Sequence, residues 1–473
     1  MKPEIQTDVA IIGAGSAGLY AMREVRQAGR SFVLIDHGPL GTTCARVGCM
    51  PSKVALHAGG LWAGRKEIAG VGGLETLSLD TAQVWAALRQ QRDRFASRPE
   101  KAARALAGEF LLEGPARFRE PGVLEITLGD DVQIVRAGVV VIATGSRPVL
   151  PGWLAAVAER TVTTDQLFEL PVLPKRVGVL GLGAIGLEMG LAMSRLGVEV
   201  IGADVANTVA GIVDPVIGER AVARFMREIT LWLGREVSVS TSGDEVLMRS
   251  GDRVVSVDLL LAALGRRPNV DSLNLEAAGI EVDGRGMPKF DPATMQIGDL
   301  PVFIAGDANG DRPLMHEAAD EGAIAGYNAA RSEITRFRRK VALGIAFSDP
   351  DVAGVGARLD QLDPQSIVIG SAGGDGNGRA RILGGEDSLL HVYADARDGK
   401  LLGAAMVATG GEHIAHLLAW AIQRGETAQS LLQLPFYHPV VEELLQTALQ
   451  GIAEKFPDGL PSGLARTATG ADT

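Results

Sequence analysis

Asp8-Val-Ala-Ile-Ile12-Gly13-Ala-Gly15-Ser-Ala-Gly18 is a short apolar run that breaks into three spaced glycines. A helical stretch follows from about Leu19 to Ala28, and a second apolar run, Ser31 to Ile35, ends on Asp36. Run, glycines, helix and second run together spell a βαβ unit with the dinucleotide fingerprint. Each glycine has a physical task. Gly13 allows the tight turn off the strand, Gly15 lets a pyrophosphate come up against bare backbone, and Gly18 lets the helix pack close to the strand. The helix N-terminus then offers unpaired N–H groups to phosphate oxygens. Asp36 is placed to accept hydrogen bonds from ribose hydroxyls. Three spaced glycines alone also read as an ordinary turn; the strand, helix and acid around them decide for the nucleotide.

The pattern recurs. Val177-Gly-Val-Leu180 runs into Gly181-Leu-Gly183-Ala-Ile-Gly186, a helical run continues to about Leu196, and a strand from Val198 to Gly202 leads to Asp204. In both copies the acid stands 23 positions after the first glycine (13 to 36, 181 to 204). Two accidental glycine turns would not share that offset, so the chain carries two nucleotide-binding units. Between them lie a helical region, about 81 to 107, and β-like runs. Val139 to Thr144 reads as a buried strand turning at Gly145, Asp258 to Gly265 is a similar edge, and Val302-Phe-Ile-Ala-Gly306-Asp307 is a strand ending in Gly-Asp. From about 341 the texture changes to strands, including Ala342 to Phe347 and His391 to Asp395, followed by helices. That is the pattern of a separate α+β unit.

A chain of 473 residues exceeds one hydrophobic core, so several domains are expected. The formal net charge of −11 argues against nucleic acid or an anionic membrane as partner. No apolar stretch approaches the ~18 residues of a membrane span. The first apolar run leads straight into glycines rather than forming a signal peptide, so a cytoplasmic chain is expected.

The only two cysteines stand in Gly41-Thr-Thr-Cys44-Ala-Arg-Val-Gly48-Cys49-Met-Pro51-Ser52-Lys53. One small loop is a poor staple for so large a chain. A close pair in a reducing compartment is redox-active or binds a metal, and no His at zinc-site spacing accompanies this one. A disulfide needs Cα atoms within about 7 Å. A regular helix would set positions i and i+5 about 7.5 Å apart along its axis. The pair can therefore bridge only across a distorted helix or loop, where Gly48 provides slack. Pro51 suits a helix's first turn. A thiolate near a helix N-terminus or a cation such as Lys53 has a lowered pKa, which suits disulfide exchange.

Cys-x4-Cys-x-Pro-Ser-Lys shortly after a first dinucleotide fingerprint resembles the class I pyridine nucleotide–disulfide oxidoreductases, over about residues 1 to 455. The resemblance implies an α/β fold: two Rossmann-like dinucleotide-binding domains, for FAD and NAD, plus a C-terminal α+β dimerisation domain. The expected division is 1–148 and 269–340 for the FAD-binding domain, 149–268 for the NAD-binding domain, 341–456 for dimerisation and 457–473 for a flexible tail. Gly13, Gly15, Gly18 and Asp36 would bind the ADP half of FAD. Gly306 and Asp307 match the family's second FAD motif, and Thr144-Gly145 its Ala-Thr-Gly turn. Gly181, Gly183, Gly186 and Asp204 would bind the nicotinamide dinucleotide. Lys53 and Glu188 match an ion pair beside the flavin; read alone, each is a solvated charge. No metal is implied.

Exchange also needs a group that takes and returns thiol protons, and His suits neutral pH. Among seven histidines, His438 stands in Phe436-Tyr437-His438-Pro439-Val-Val-Glu442-Glu443. Alone it reads as a helix-entry His with solvated acids behind it. By resemblance it matches the family's His-Pro-x-x-x-Glu dyad, with Glu443 orienting the ring and the other subunit's copy serving each site, so a homodimer is implied. His413 and His416 read as structural.

The implied reaction passes two electrons between a thiol/disulfide substrate and a nicotinamide coenzyme. A carboxylate at Asp204 suits the free 2′-hydroxyl of NAD, and Val205, Ala206 and Asn207 after it include no Arg. With no cysteine beyond Cys49, the expected activity is that of dihydrolipoamide dehydrogenase, acting on a lipoyl group on a carrier protein. A glutathione-type or other disulfide reductase using NAD(P)H is the alternative, and a non-catalytic flavoprotein redox sensor is an alternative of another class. Thr42-Thr43, Ala45-Arg46, Tyr437 and Val440 depart from the family's commoner residues. They flank the thiol-facing side, which leaves the disulfide open.

Overall fold

Val9 to Ile12 form the buried end of a strand, Ile5–Ile12, in a computed structural model that describes residues 3–71 and 79–456. Parallel strands flank it on both edges, with Val9 beside Phe32 on one and Val139 on the other. A strand paired on both edges and covered on both faces has no polar side to show, so its sequence runs apolar without alternation. The sheet has seven strands, in the order Leu111–Glu113, Phe32–Asp36, Ile5–Ile12, Asp131–Ile142, Val123–Leu128, Ala116–Glu120. The seventh, Val302–Ile304, pairs in parallel with the end of Asp131–Ile142. The helices Ser16–Gln27 and Met315–Ala329 share one apolar cluster with Val9 and Ile11. They approach closely because Gly322 and Gly326 face Ala17 and Ala21. A Cβ at those glycines would lie 2.2 and 2.4 Å from the carbonyl oxygens of Ala17 and Ala21.

The second unit repeats the plan. Five strands run parallel in the order Thr230–Leu233, Glu199–Asp204, Arg176–Leu180, Leu259–Ala262, Thr161–Val162. A three-stranded antiparallel ribbon, Ser238–Ser242, Glu245–Ser250 and Arg253–Val257, packs beside it. Its two turns, Gly243-Asp244 and Gly251-Asp252, have positive φ at the glycine, as two-residue hairpin loops require. A short antiparallel pair, Ser146–Pro148 with Arg266–Pro268, marks where the chain passes from the first unit to the second and back.

The C-terminal part is a five-stranded antiparallel sheet in the order Leu343–Ala346, Asp351–Gly356, Leu401–Ala408, Leu389–Asp395, Ile367–Gly373. The helices Gly411–Arg424, Ala428–Leu432 and Glu443–Ala453 bury their apolar stripes against it. The α/β class expected from sequence, with an α+β C-terminal unit, is the class observed. No helix among the described residues is long and apolar enough to cross a membrane. The expected tail at 457–473 lies outside the described residues.

Candidate active site

Cys44 and Cys49 stand on either side of a break between two helices. Thr43–Arg46 is a single turn, capped by Thr42 Oγ1, which accepts from Ala45 N at 3.2 Å. Val47 then leaves helical geometry (φ −135°, ψ 3°), and a long helix, Cys49–Val71, begins. This break supplies the distortion that the five-residue spacing demands. Gly48 lies within it, where a Cβ would crowd Thr43 O at 3.2 Å and Cys44 Cα at 3.3 Å. Both cysteines are thiols here and half-buried, each close enough to set the other's acidity. The two differ in acidity. The hydrogen bond from Cys44 lowers Cys49 to about 7; burial pushes the other way, and the Lys53 ammonium lowers it further. Donating that hydrogen bond, together with burial, holds the Cys44 thiol well above its ordinary range. Cys49 also opens a helix, a position that favours a thiolate.

Lys53 lies one turn further along the same helix. Its Nζ donates to both carboxylate oxygens of Glu188, at 2.9 and 2.8 Å, and stands 4.7 Å from the centre of the Phe347 ring. Glu188 is only 4% exposed and accepts a further hydrogen bond from Phe347 N at 3.0 Å. It is therefore no solvated surface charge, but a buried carboxylate with its partners in place. The pairing depends on the close approach of Cys49–Val71 to Ala184–Arg195. At their contact Gly59 meets Ala192 and Arg195, and a Cβ there would lie 3.1 Å from Ala192 O.

The two glycine fingerprints are superimposable in detail. Gly13 and Gly181 have φ +111° and +87°, and a Cβ on them would strike Ala143 O and Ala263 O at 2.2 and 2.4 Å. A Cβ on Gly18 or Gly186 would strike the carbonyl of the first glycine, at 1.8 and 1.9 Å. At Gly15 and Gly183 a Cβ would meet nothing within 4 Å, so bare backbone faces open space there. Asp36 accepts from Ala14 N and Gly38 N, both at 2.6 Å; Asp204 accepts from Leu182 N at 2.6 Å and Ala206 N at 2.9 Å. Each carboxylate is thus fixed at its strand end with acceptor capacity left over. Around the first cradle, Asp307 accepts from Ser146 Oγ at 2.6 Å. The Thr144 hydroxyl there is buried and has no partner among the described residues. Open backbone at Gly15, a fixed acid and an unpaired buried hydroxyl fit a dinucleotide.

His438 Nδ1 is 2.9 Å from Glu443 Oε1, while Glu443 Oε2 accepts from Val440 N at 3.1 Å. The carboxylate so held lies below its usual range, chiefly through the His438 hydrogen bond. His438 is 79% exposed at the side chain, with Nε2 turned away from Glu443. Among the described residues no hydrogen bond or ion pair joins this dyad to the cysteines within one chain. His413 and His416, on the Gly411–Arg424 helix, are exposed and make local contacts with Glu412.

Two family models account for most of the sequence. One, pyridine nucleotide-disulphide oxidoreductase, matches residues 7–322, and the dimerisation domain of the same family matches 343–449. The chain belongs to the pyridine nucleotide-disulphide oxidoreductase family.

Relatives of this flavoprotein disulfide oxidoreductase align along nearly the whole length. A dihydrolipoyl dehydrogenase of Bacillus subtilis is 28% identical over 464 residues, covering 94% of this chain and 96% of its own. Dihydrolipoyl dehydrogenase 3 of Pseudomonas aeruginosa is 29% identical, with 94% and 97% covered. Among solved structures, LpdA of Mycobacterium tuberculosis shares the fold with a TM-score of 0.82 at 23% identity, over 93% of this chain and 99% of its own. RclA of Escherichia coli, an HOCl-induced flavoprotein disulfide reductase solved as a Cu(II) complex, gives 0.82 at 21%, over 94% and 99%. Membership implies FAD and a nicotinamide nucleotide, and the dimerisation domain supports a homodimer.

Several residues of this oxidoreductase site escaped the sequence reading. Arg266 donates to Ser146 Oγ at 2.8 Å, so it braces the hydroxyl that holds Asp307. Glu321 accepts from Gly306 N and Asn309 Nδ2, both at 2.7 Å, and pairs with Arg339. Burial raises its pKa to about 7, against the Arg339 charge. The Asp204 cleft holds one more such residue. No Arg follows Asp204 in sequence, yet Arg235, at the end of the adjacent parallel strand, lines the same cleft. Its guanidinium is turned to Gly251, where a Cβ would lie 2.9 Å from Nη1. The signal was topological: the strand after a Rossmann acid returns beside it.

Proposed function

We propose that the chain is an NAD-dependent dihydrolipoyl dehydrogenase, converting dihydrolipoamide and NAD⁺ to lipoamide and NADH, with the lipoyl group borne by a carrier protein. The observation that carries this reading is the Cys44–Cys49 pair across a helix break, with its more acidic thiol one turn from the Lys53–Glu188 ion pair. Support for the lipoyl substrate comes from relatives of that name aligned nearly end to end.

The chain's own groups account for the exchange chemistry. In the oxidised pair, Cys49 opens a helix one turn from the Lys53 ammonium, both of which stabilise a departing thiolate, so a substrate thiolate attacks Cys44. The substrate's second thiolate then closes the lipoyl ring and releases Cys44. The partner subunit's His438, oriented through Nδ1 by Glu443, takes the proton of the attacking substrate thiol, and the proton of the second thiol passes to the released Cys44. Gly13, Gly15, Gly18, Asp36, Thr144, Gly145, Gly306 and Asp307 would hold FAD, which when bound would supply the two-electron relay from the dithiol to the coenzyme. Gly181, Gly183, Gly186 and Asp204 hold that coenzyme, and Asp204 selects NAD because a 2′-phosphate would meet its carboxylate. A pair that is reduced in every turnover fits the reducing cytoplasm.

A second reading, reduction of another disulfide with NADPH, draws on Arg235 in the Asp204 cleft and on Arg46 beside Cys44. The test assays lipoamide and glutathione disulfide, each with NADH and NADPH. We expect kcat/KM to favour lipoamide with NADH, and Cys44→Ser to abolish turnover. Preference for NADPH or glutathione disulfide overturns the assignment. Turnover that survives Cys44→Ser overturns the disulfide mechanism, and absence of turnover with every pair of disulfide and coenzyme leaves the non-catalytic redox sensor.

A further inference from the structure

Trp153 is a large apolar side chain left 48% exposed on a segment anchored by two neighbours, Leu154 and Val157. It belongs to a 3-10 stretch, Gly152–Arg160, whose Leu154 and Val157 are buried in one cluster with Leu180, Ala203 and Trp232. Leu154 N also donates to Pro151 O at 3.0 Å, closing the first turn. The backbone is thus fixed while the indole is turned outward.

The indole faces a cavity of about 640 Å³ whose walls include Gly181, Gly183, Asp204, Val205 and Val237. This is the cleft of the second fingerprint. Asp204 is pinned by two backbone N–H groups and points its remaining lone pairs into the cleft, which places a ribose there. The base on that ribose needs a flat apolar surface within reach. Val205, 69% exposed, and Val237 offer small branched faces; Trp153 offers the large planar one. Stacking a base on an exposed indole covers apolar area on both partners and accepts any orientation of the ring's polar edge.

We propose that Trp153 is the platform on which this chain stacks the adenine ring of its nicotinamide coenzyme. The proposal rests on the reading of the second fingerprint given above. It makes Trp153 a binding residue for the half of the coenzyme that does no chemistry.

ADP-ribose, which carries the adenine and both riboses but no nicotinamide, is the probe, titrated into the flavin-loaded protein. Calorimetry gives Kd and tryptophan emission reports contact with the indole. The wild type should bind with quenching. Trp153→Phe should keep most of the affinity and lose that quenching, while Trp153→Ala should bind about tenfold more weakly. Trp153→Ala with wild-type affinity, or undiminished quenching in Trp153→Phe, overturns the platform alone. A wild type that binds no ADP-ribose overturns the coenzyme reading of the fingerprint, and the platform with it.

Discussion

Cys44 and Cys49 are the same side chain in nearly the same place, and Cys49 is the one that opens a helix, one turn from Lys53. Its acidity therefore belongs to its surroundings rather than to the sulfur. It is testable through alkylation of the reduced protein by iodoacetamide, since only the thiolate reacts. The first thiol should titrate below the range of an ordinary cysteine. Lys53→Met removes a cation that favours the thiolate, so the midpoint should rise. Glu188→Gln removes an anion that disfavours it, so the midpoint should fall. Unmoved midpoints in both variants would mean that the ion pair does not tune the sulfur. At this scale the sequence was legible where neighbours in space are neighbours in the chain, as with the cysteine pair and Pro51, whereas the His438–Glu443 pairing was read through the family resemblance. Glu188 is 135 positions from Lys53, and only the family resemblance joined them; Arg235 reaches its cleft through strand order.

Helices and strands show the same rule one level up. The fingerprint units were readable because each is a local signal in which a run of apolar residues, three glycines, a helix and an acid follow one another. The observed elements depart from that reading only at their ends, as where the first helix begins at Ser16 rather than Leu19. The antiparallel ribbon after Leu233 was less legible, since its strands carry exposed Ser and Thr and its only sharp marks are the Gly-Asp turns. The seam between Ser16–Gln27 and Met315–Ala329 was not legible at all. Nothing in Gly322 or Gly326 announces which helix lies opposite, 305 positions earlier in the chain (17 to 322, 21 to 326). Their lack of a side chain is nonetheless what the seam requires. Gly322→Ala would put a Cβ 2.2 Å from Ala17 O, a backbone atom that cannot swing aside. The helices must separate, at a cost of about 1–3 kcal/mol. Because Ala17 is in the first turn of the fingerprint helix, the variant should also release FAD more readily. Thermal midpoint and flavin content after gel filtration check both effects. A variant that matches the wild type in both would show that the seam is loose.

Across the whole molecule, the C-terminal sheet is tied to the second nucleotide unit by polar links that no local pattern foretold. Phe347 N reaches Glu188, and Arg195 donates to Ser348 O and Asp349 O at 2.6 and 2.8 Å while pairing with Glu228 at 2.7 Å. The most deeply buried link is Asp214, 1% exposed, which caps the helix Pro215–Phe225 through Val216 N and Ile217 N. From the opposing sheet it also takes hydrogen bonds from His391 Nδ1 at 2.7 Å and Tyr393 OH at 2.8 Å. A domain whose family role is dimerisation thereby fixes the orientation of the unit carrying the second fingerprint. Burial alone would raise the Asp214 pKa, but the hydrogen bonds from His391, Tyr393 and the backbone outweigh it and hold the carboxyl at about 2. A carboxyl whose pKa is lower in the fold than in the unfolded chain stabilises the fold above the unfolded value of about 4, and that stabilisation fades as pH falls toward the folded value. At neutral pH it amounts to roughly 2 kcal/mol. Asp214→Asn keeps the shape and removes the charge, so its thermal midpoint should lie below the wild type's at pH 7. The gap should hold down to about pH 5 and narrow only below about pH 4. Calorimetry of the flavin-loaded proteins at one scan rate, stepped from pH 7 downward, measures it. A gap absent at pH 7, or one that widens on acidification, would show that the ionised carboxylate is not what ties the sheet to the nucleotide unit.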